Sequence, residues 1–411
     1  MIKGLIVLEN NSEQVKRPFL CRASRFFFAI YVITLYVFVI KKETLVYSQL
    51  AFLAFAGCTA LYVLLRGKLY FGRPVLWGYS TCAWIFASII WASSRYIAAD
   101  RARTMWQLFA LFFLVYNLFY TEKDGCEFFL KVLYIAGICL CVYSIYIYGA
   151  KGIIDAMLTE GTRLGSEVSQ SNVFGMQNAT TTVIAFYYLY NQKKHRLFHT
   201  IIMCVSFIIA MSSGSRKALL MACAGILFLV YKKYGMKHLY KIAATVLVLA
   251  LAFSVIIQLP LFETVRTRME QGFNTIEGND GGDSSAEKRL HYIDVGWNLF
   301  KEKWAIGYGI NNFGYVSRTG TYAHNNFIEL LCDVGIIGFL LYYAMYIRAA
   351  RELHKQKGVA VGCIIALFLI RLFGEFAMVT YYDKMQWIMM AIFMLPCEKE
   401  RKEISEVAQN V

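Results

Sequence analysis

The sequence is poor in charged residues and in proline. Only 17% of its 411 residues are charged, and it has 4 prolines beside 29 glycines. Water-soluble domains average about a quarter charged residues, and collagen-like or low-complexity chains are rich in proline and glycine. This composition excludes a soluble enzyme as well as a fibrous or low-complexity chain.

The apolar residues, 58% of the chain, have neither strand alternation nor heptad spacing. They form continuous runs, and about 20 helical residues are enough to cross a bilayer. We predict an all-α polytopic membrane protein with about twelve transmembrane helices, in which residues 1–411 form a single membrane domain. The predicted spans are 24–40, 45–65, 74–94, 103–120, 128–149, 172–190, 197–212, 216–231, 240–261, 325–347, 359–380 and 384–396.

The positive charge of the chain bears on its orientation. There are 42 Lys and Arg against 27 Asp and Glu, a formal net charge of +15. When the N-terminus is placed in the cytoplasm, more of the Lys and Arg fall in inner segments than in the short outer ones, which is the bias of membrane proteins. We therefore predict that both termini are cytoplasmic, and we expect a lipid bilayer rather than a nucleic acid as the partner.

Cysteine and acidic residues give little sign of a metal or a disulfide. Most of the 11 cysteines lie inside apolar runs, where a free thiol behaves as a small hydrophobe, and we interpret all of them as structural or neutral. Asp280 and Asp283 resemble a loose metal loop, but Gly-Asp turns are common. Since the sequence has no D-x-D tripeptide, we predict neither a metal nor another cofactor.

One long polar segment, residues 262–324, falls outside the membrane between spans nine and ten. Residues 263–276 and 285–303 have helical apolar spacing, and Ser284 to Glu287 fits a capping box. The glycines and aspartates of residues 278–283 predict a flexible turn between the two helices. We predict a small helical extracytoplasmic cap within the membrane domain.

Four cations and a histidine share the predicted outer side. Spans eight and ten both begin there, and the N-terminus of a helix favours an anion. Arg216 and Lys217 open span eight, and His324 precedes span ten. Arg289 lies in the cap helix between them, and Arg163 lies in the outer segment 150–171. This pattern predicts an anionic substrate at the outer membrane surface.

Each of these residues also has a structural interpretation. Arg216 and Lys217 would serve as interfacial anchors, and Arg289 would belong to a solvated helix face. His324 would satisfy a loop carbonyl, and His291 in the cap helix is a rival general base.

A further charged pair lies inside a predicted span. Arg371 and Glu375 are four residues apart, and charges within a span are costly unless they are paired or face a cavity. Pairing with one another is the first interpretation, and a role in substrate binding is the second.

Three blocks of sequence together resemble the O-antigen ligase and O-antigen polymerase superfamily. Residues 212–220, SSGSRKALL, resemble its S-x-S-R-x-A signature, and residues 163–175, RLGSEVSQSNVFG, resemble its segment with an Arg and an Asn before a span. Residues 289–338 resemble its second block, which contains HNNFIELLCDVGIIG. The order of the blocks, the twelve spans and the outer loop between spans nine and ten agree with this resemblance.

The resemblance implies a glycosyltransferase of the bacterial cytoplasmic (inner) membrane. Its donor would be an oligosaccharide on undecaprenyl diphosphate at the outer leaflet, with Arg216, Arg289 and, from a less distinctive segment, Arg163 holding the diphosphate. Lys217 adjoins them, and His324 would be the general base, in preference to His291. Because arginine binds phosphate oxygens in pairs and stays charged, we predict a metal-independent, inverting single displacement.

The resemblance leaves more than one function open. We favour a polymerase, which joins repeat units of O antigen, capsule or exopolysaccharide on the lipid carrier. An O-antigen ligase, which moves the finished chain to a lipid A-core acceptor, is the alternative. A polysaccharide-related secondary transporter or flippase is the second, although transporters place their site at the midplane between internal repeats, and none is evident here. The pathway of this family also implies a chain-length regulator and a flippase as partners.

Overall fold

The computed structural model describes residues 5–7, 18–38, 42–159, 162–235, 238–256, 258, 266–267, 270–271 and 284–397. Over these ranges the chain is almost entirely helical. The exception is a two-stranded antiparallel sheet, in which β1 (Leu5–Val7) pairs with β2 (Lys68–Tyr70) and Leu5 lies opposite Tyr70. The prediction of an all-α protein is confirmed at this level.

A helix lies at each of the twelve predicted spans, and the described part of the segment between spans nine and ten contains the further helices α10 and α11. The helices are α1 (Pro18–Val37), α2 (Lys42–Arg66), α3 (Arg73–Ala87), α4 (Arg95–Phe119), α5 (Gly125–Leu158), α6 (Ser171–Asn191), α7 (Arg196–Ser212), α8 (Arg216–Tyr234), α9 (Leu239–Ile256), α10 (Ser284–Glu302), α11 (Phe313–Val316), α12 (Asn326–Lys355), α13 (Val359–Gly374) and α14 (Lys384–Phe393).

Among the described residues, five helices are long and apolar enough to cross a membrane by themselves. These helices are α1, α2, α4, α5 and α12, and their apolar parts are, in the same order, Phe19–Val37, Thr44–Arg66, Arg95–Phe119, Gly125–Leu158 and Asn326–Lys355. Among the shorter helices, α7 and α13 are also apolar. The chain is thus a multi-pass membrane protein, while the count of twelve spans and the side of each loop stay predictions.

Aromatic side chains and close helix approaches build the core. Phe28 of α1 contacts Phe55 of α2 and Phe119 of α4, with ring centroids 5.4 and 5.2 Å apart. Helix α5 packs directly on α6 at Gly137, where a Cβ atom would lie 2.1 Å from the hydroxyl oxygen of Thr181. Small residues allow such approaches between membrane helices, where backbone contact replaces the hydrophobic effect.

Helix α12 is kinked at Gly335, and the segment that follows α10 packs against the kink. Gly335 has a φ of +64°, and a Cβ there would lie 2.3 Å from the carbonyl oxygen of Ala305. The Ile336 N–H donates to the Trp304 carbonyl at 2.8 Å. The buried Asp333 carboxylate accepts the Phe313 N–H at 2.7 Å. The C-terminal half of the predicted cap is therefore fixed directly to α12.

The described part of the cap agrees with the predicted second helix. Residues 285–303 were expected to be helical, and α10 covers Ser284–Glu302. The predicted first cap helix, 263–276, lies mostly outside the described residues, and the predicted turn 278–283 lies wholly outside them. The Ser284 side chain of the predicted capping box also lies outside that description.

Candidate active site

The turn between α7 and α8 presents two of the predicted cations. Ser215 is the N-cap of α8, and its side chain accepts the Ala218 N–H. This cap accounts for the serine-rich SSGSRKALL block, because a serine oxygen satisfies a backbone donor that the first helical turn leaves unpaired. Arg216 and Lys217 follow the cap directly and occupy the first turn of α8.

Arg163 is held against the same turn. Its Nε atom donates to the Ser213 carbonyl at 2.9 Å, and a terminal nitrogen donates to Asn172 Oδ1 at 2.9 Å. The Leu164 N–H adds a hydrogen bond to the Ser212 carbonyl at 3.1 Å. The Arg and the Asn of the RLGSEVSQSNVFG block therefore bond to each other, and they fix Arg163 at the start of α8.

The three predicted arginines converge on Lys217. The charges of Arg289, Arg216 and Arg163 all act on its ammonium group, although they come from α10, α8 and the segment before α6. The Lys217 ammonium donates to the carbonyl of Ala377, in the segment after α13. Since like charges held close together repel, such a cluster gains free energy from a bound anion.

His324 lies beside this cluster at the start of α12. Its ring is 4.2 Å from the Tyr322 ring and stacks on Tyr292 at 6.2 Å, centroid to centroid. The next residue, Asn325, is the N-cap of α12, and the Glu329 carboxylate accepts the Ala323 N–H at 2.6 Å. These bonds hold the backbone on both sides of His324, whose φ is +57°, an uncommon value outside glycine.

The surroundings of His324 favour the neutral imidazole. Burial, followed by the charges of Arg289 and Lys217, lowers the pKa of His324 to about 4. Burial is the largest of these causes. At neutral pH the ring can therefore accept a proton. A bound diphosphate would add negative charge and raise this pKa.

The rival base has a different environment. His291 is exposed on α10, and its ring lies 6.2 Å from the ring of Tyr292. His324 is half-buried, and it is the histidine on which the charges of Arg289 and Lys217 act. Of the two histidines, His324 is therefore the one beside the cation cluster.

The predicted pairing of Arg371 with Glu375 is wrong. Arg371 pairs with Asp383, with 3.2 Å between nitrogen and oxygen. Glu375 is fully buried and its carboxylate accepts only neutral donors among its described contacts. Those donors are the hydroxyls of Tyr342, Tyr343, Tyr346 and Thr380 and the side-chain amide of Asn326. A spacing of four residues favours a pair only within one helix. Glu375 lies just after the end of α13 and its side chain turns toward α12, so the predicted pair does not form.

Asn326 is a functional candidate that sequence reasoning missed. Its Oδ1 accepts the backbone N–H groups of Thr380 and Tyr381 at 2.9 and 3.1 Å, and its amide donates to Glu375 at 3.1 Å. Asn326 therefore connects the segment 375–381 to the start of α12, directly after His324. The second Asn of the HNN triplet was the available signal, but its partners lie about fifty residues later.

Arg101 is a second residue that the sequence did not single out. Its guanidinium lies 3.9 Å from the centroid of the Tyr382 ring and donates to Asn311 Oδ1 at 3.3 Å. In the structure it joins α4 to the segment after α13 and to the segment that leads to α11.

A comparison with protein families decides the class. The family described as O-Antigen ligase matches residues 201–343, which include Arg216, Lys217, Arg289 and His324. Residues 201–343 form an O-antigen ligase domain. The predicted membership of the O-antigen ligase and polymerase superfamily is confirmed. No curated protein matches the chain.

The O-antigen ligase domain defines the general chemistry of the protein. Its family acts in polysaccharide biosynthesis as membrane glycosyltransferases with lipid-linked polysaccharide substrates. In the part of the chain that the structure describes, no group of three or more His, Cys, Asp or Glu could hold a metal. Asp280 and Asp283 lie outside the described residues.

Proposed function

We propose that the chain is a polymerising glycosyltransferase. It would transfer a glycan from an undecaprenyl-diphosphate-linked donor to a sugar hydroxyl, and so join repeat units of O antigen, capsule or exopolysaccharide. The observation that carries the proposal is the convergence of three arginines on Lys217, with the neutral imidazole of His324 beside them. The O-antigen ligase domain supports the same chemistry.

In this proposal the four cations hold the diphosphate of the donor. Arg216, Arg289 and Arg163 offer planar forks that match phosphate oxygens, and Lys217 adds a point charge. The diphosphate gains negative charge as the glycosidic bond breaks, so cations fixed beforehand stabilise the transition state more than the ground state. This accounts for a leaving group that departs without a metal ion.

His324 would act as the general base. An acceptor hydroxyl gives its proton to the imidazole as its oxygen bonds to the anomeric carbon, and the bond to the diphosphate breaks with its electron pair. One displacement inverts the anomeric configuration. The bound diphosphate would also raise the pKa of His324 and thereby strengthen the base at the moment it is needed.

The proposal includes an orientation. The cation cluster and His324 would face the extracytoplasmic side, both termini would be cytoplasmic, and residues 262–324 would form a cap within one membrane domain. Energy stored in a lipid diphosphate suits that side, which lacks a reliable nucleotide supply. A chain-length regulator and a flippase of the same pathway are the partners that this function implies.

A ligase is the second candidate, because the family that matches residues 201–343 is described by that activity. The two functions share a donor and differ in the acceptor. Purified protein incubated with the lipid-linked repeat unit alone separates them by mass spectrometry of the lipid-linked glycans. A ladder of longer lipid-linked chains is expected. Products that form only after lipid A-core is added would establish the ligase instead.

A further inference from the structure

A cavity of about 360 Å³ adjoins the candidate active site. It lies between the C-terminal end of α1, the N-terminal half of α6 and residues 378–385. Tyr322, whose ring contacts His324, forms part of its wall. Met221 forms another part, and it lies one turn after Lys217 on α8. The cavity therefore extends to Tyr322, which contacts the proposed base, and to within one helical turn of Lys217.

One side-chain polar atom in the cavity wall has no hydrogen-bond partner among the described residues. The side-chain oxygen of Gln177, on α6, is buried and accepts no hydrogen bond. A buried carbonyl oxygen that stays unsatisfied is costly, and native proteins seldom leave one so. A ligand that donates an O–H or N–H group at this point would remove that cost.

Most of the rest of the wall is apolar, and the remainder combines aromatic rings with charged side chains. Tyr322 and Tyr382 provide the rings, Arg371 with Asp383 provides both a donor and an acceptor, and Lys384 adds a cation. An isoprenoid chain could pack on the apolar part, but it has no group that could bond to Gln177 or to the charged side chains. A diphosphate could bind the two cations, but it has no protons to donate to the Gln177 oxygen or to the Asp383 carboxylate.

We infer that this cavity binds a sugar ring of the acceptor glycan. A pyranose carries hydroxyls that both donate and accept, and its C–H faces pack on aromatic rings. The ring that supplies the attacking hydroxyl must lie beside the base, and Tyr322 brings the cavity to His324. This inference rests on the proposed function and adds to it the subsite that selects the acceptor.

The test is a substitution that removes the free oxygen and keeps the shape. Gln177→Leu should fold as well as the natural chain, because an apolar group replaces an unsatisfied buried one. The probe is the repeat-unit glycan released from its lipid carrier by mild acid, and saturation-transfer NMR measures its binding to the full chain in nanodiscs. Gln177→Leu should weaken binding about ten-fold, the equivalent of one hydrogen bond.

Two further variants keep the test sharp. Gln192→Leu removes an exposed amide at the other end of α6 and should bind the glycan as the natural chain does. Val173→Trp fills the cavity from the same helix and should abolish glycan binding while the affinity for the lipid-linked donor stays unchanged. Unaltered glycan binding in both Gln177→Leu and Val173→Trp would overturn the inference.

A lipid without a sugar shows whether the sugar or the lipid carrier occupies the cavity. Undecaprenyl phosphate should compete weakly with the released glycan, and its own binding should not respond to Gln177→Leu. Equal loss of both ligands in that variant would assign the cavity to the lipid and overturn the inference. Glycan binding requires no transfer, so a chain that binds glycan in the cavity yet builds no products would refute the proposed function alone.

Discussion

One imidazole governs the proposed chemistry at the scale of single residues. His324 lies between the rings of Tyr322 and Tyr292, with a positive φ and hydrogen bonds on both sides of it. Its burial and the nearby cations keep the ring neutral. Asparagine tolerates this backbone region better than alanine does, which makes it the gentlest replacement.

His324→Asn should abolish transfer without releasing the donor. Loss of a general base lowers turnover by about 10²–10⁴-fold, whereas the cations that hold the diphosphate remain. Turnover is measured by mass spectrometry of lipid-linked products, and donor affinity by calorimetry on the purified chain. His291→Asn is the matched control and should turn over as the natural chain does. Near-natural turnover in His324→Asn would remove this residue from the mechanism.

The pH dependence follows from the lowered pKa of His324. A base is lost when it is protonated, so activity should fall as the pH drops through that pKa, which is about 4 in the free protein. Plots of kcat/KM report the free protein and plots of kcat report the complex. The acid limb of kcat should therefore lie at higher pH, because the bound diphosphate raises the pKa. An acid limb of kcat/KM near pH 6.5 would contradict the burial described above.

We expect the arginines to bind the donor, although their positive charges repel one another in the ligand-free protein. Arg289→Ala should weaken donor affinity by about 1.5–3 kcal/mol, the worth of a hydrogen bond to a charged group, or roughly ten- to a hundred-fold. The donor affinity of Arg289→Lys should lie between those of the natural chain and Arg289→Ala, because lysine keeps the charge but lacks the planar guanidinium group.

The neighbouring lysine provides the control for that experiment. Lys288→Ala removes an exposed cation one residue away on α10, and it should leave donor affinity unchanged. Equal losses from Lys288→Ala and Arg289→Ala would mean that overall charge attracts the donor, and that Arg289 has no specific contact with it.

At the scale of elements, the segment after α13 joins two helix starts. The Ala377 carbonyl accepts from Lys217 at the start of α8, and the Thr380 N–H donates to Asn326 at the start of α12. Glu375 anchors the segment through three tyrosine hydroxyls of α12. The relative position of the cations and the imidazole therefore depends on this segment.

Glu375→Leu should unfold or loosen this junction. It leaves the Asn326 amide and several buried hydroxyls without their acceptor, and each unsatisfied group costs about 1–3 kcal/mol. We expect a lower Tm by differential scanning fluorimetry in detergent, together with a loss of turnover. Glu167→Leu, at an exposed carboxylate, should change neither. A natural Tm in Glu375→Leu would show that the network contributes little to stability.

The sequence predicts the helices of this fold well, and it predicts the contacts between them poorly. Apolar runs locate a helix at every predicted span, and helix direction brings Arg216 and His324 to one region. The partners of Glu375 were missed because they depend on how α12 packs against a distant segment. The kink at Gly335 was missed for the same reason, since a glycine inside a helical pattern does not by itself indicate a bend.

At the scale of the whole molecule, orientation decides which compartment supplies the substrate. The bias of Lys and Arg toward the inner segments predicts cytoplasmic termini. The cation cluster, the cavity and the cap share the opposite end of the predicted bundle. An anionic lipid would then reach the site from the outer leaflet.

Reporter fusions should confirm this orientation. Green fluorescent protein fused after residue 411 should fluoresce, because it matures in the cytoplasm. Alkaline phosphatase, which is active only outside, should be active when fused after Lys301 in α10 and inactive when fused after Lys194, between α6 and α7. The opposite pattern of phosphatase activity would invert the protein and place the proposed site in the cytoplasm.

Hydrogen bonds join both α8 and α12 to residues 377–380, and this has a consequence for how new acceptor specificities arise. The distance from pyrophosphate to imidazole would be fixed before any glycan arrives, so repeat units of different composition would meet the same reactive geometry. Variation among acceptors could then accumulate at Val173, Met176 and Gln177, which line the cavity from α6, without disturbing catalysis. A transferase for another polysaccharide would be reached by reshaping that wall alone.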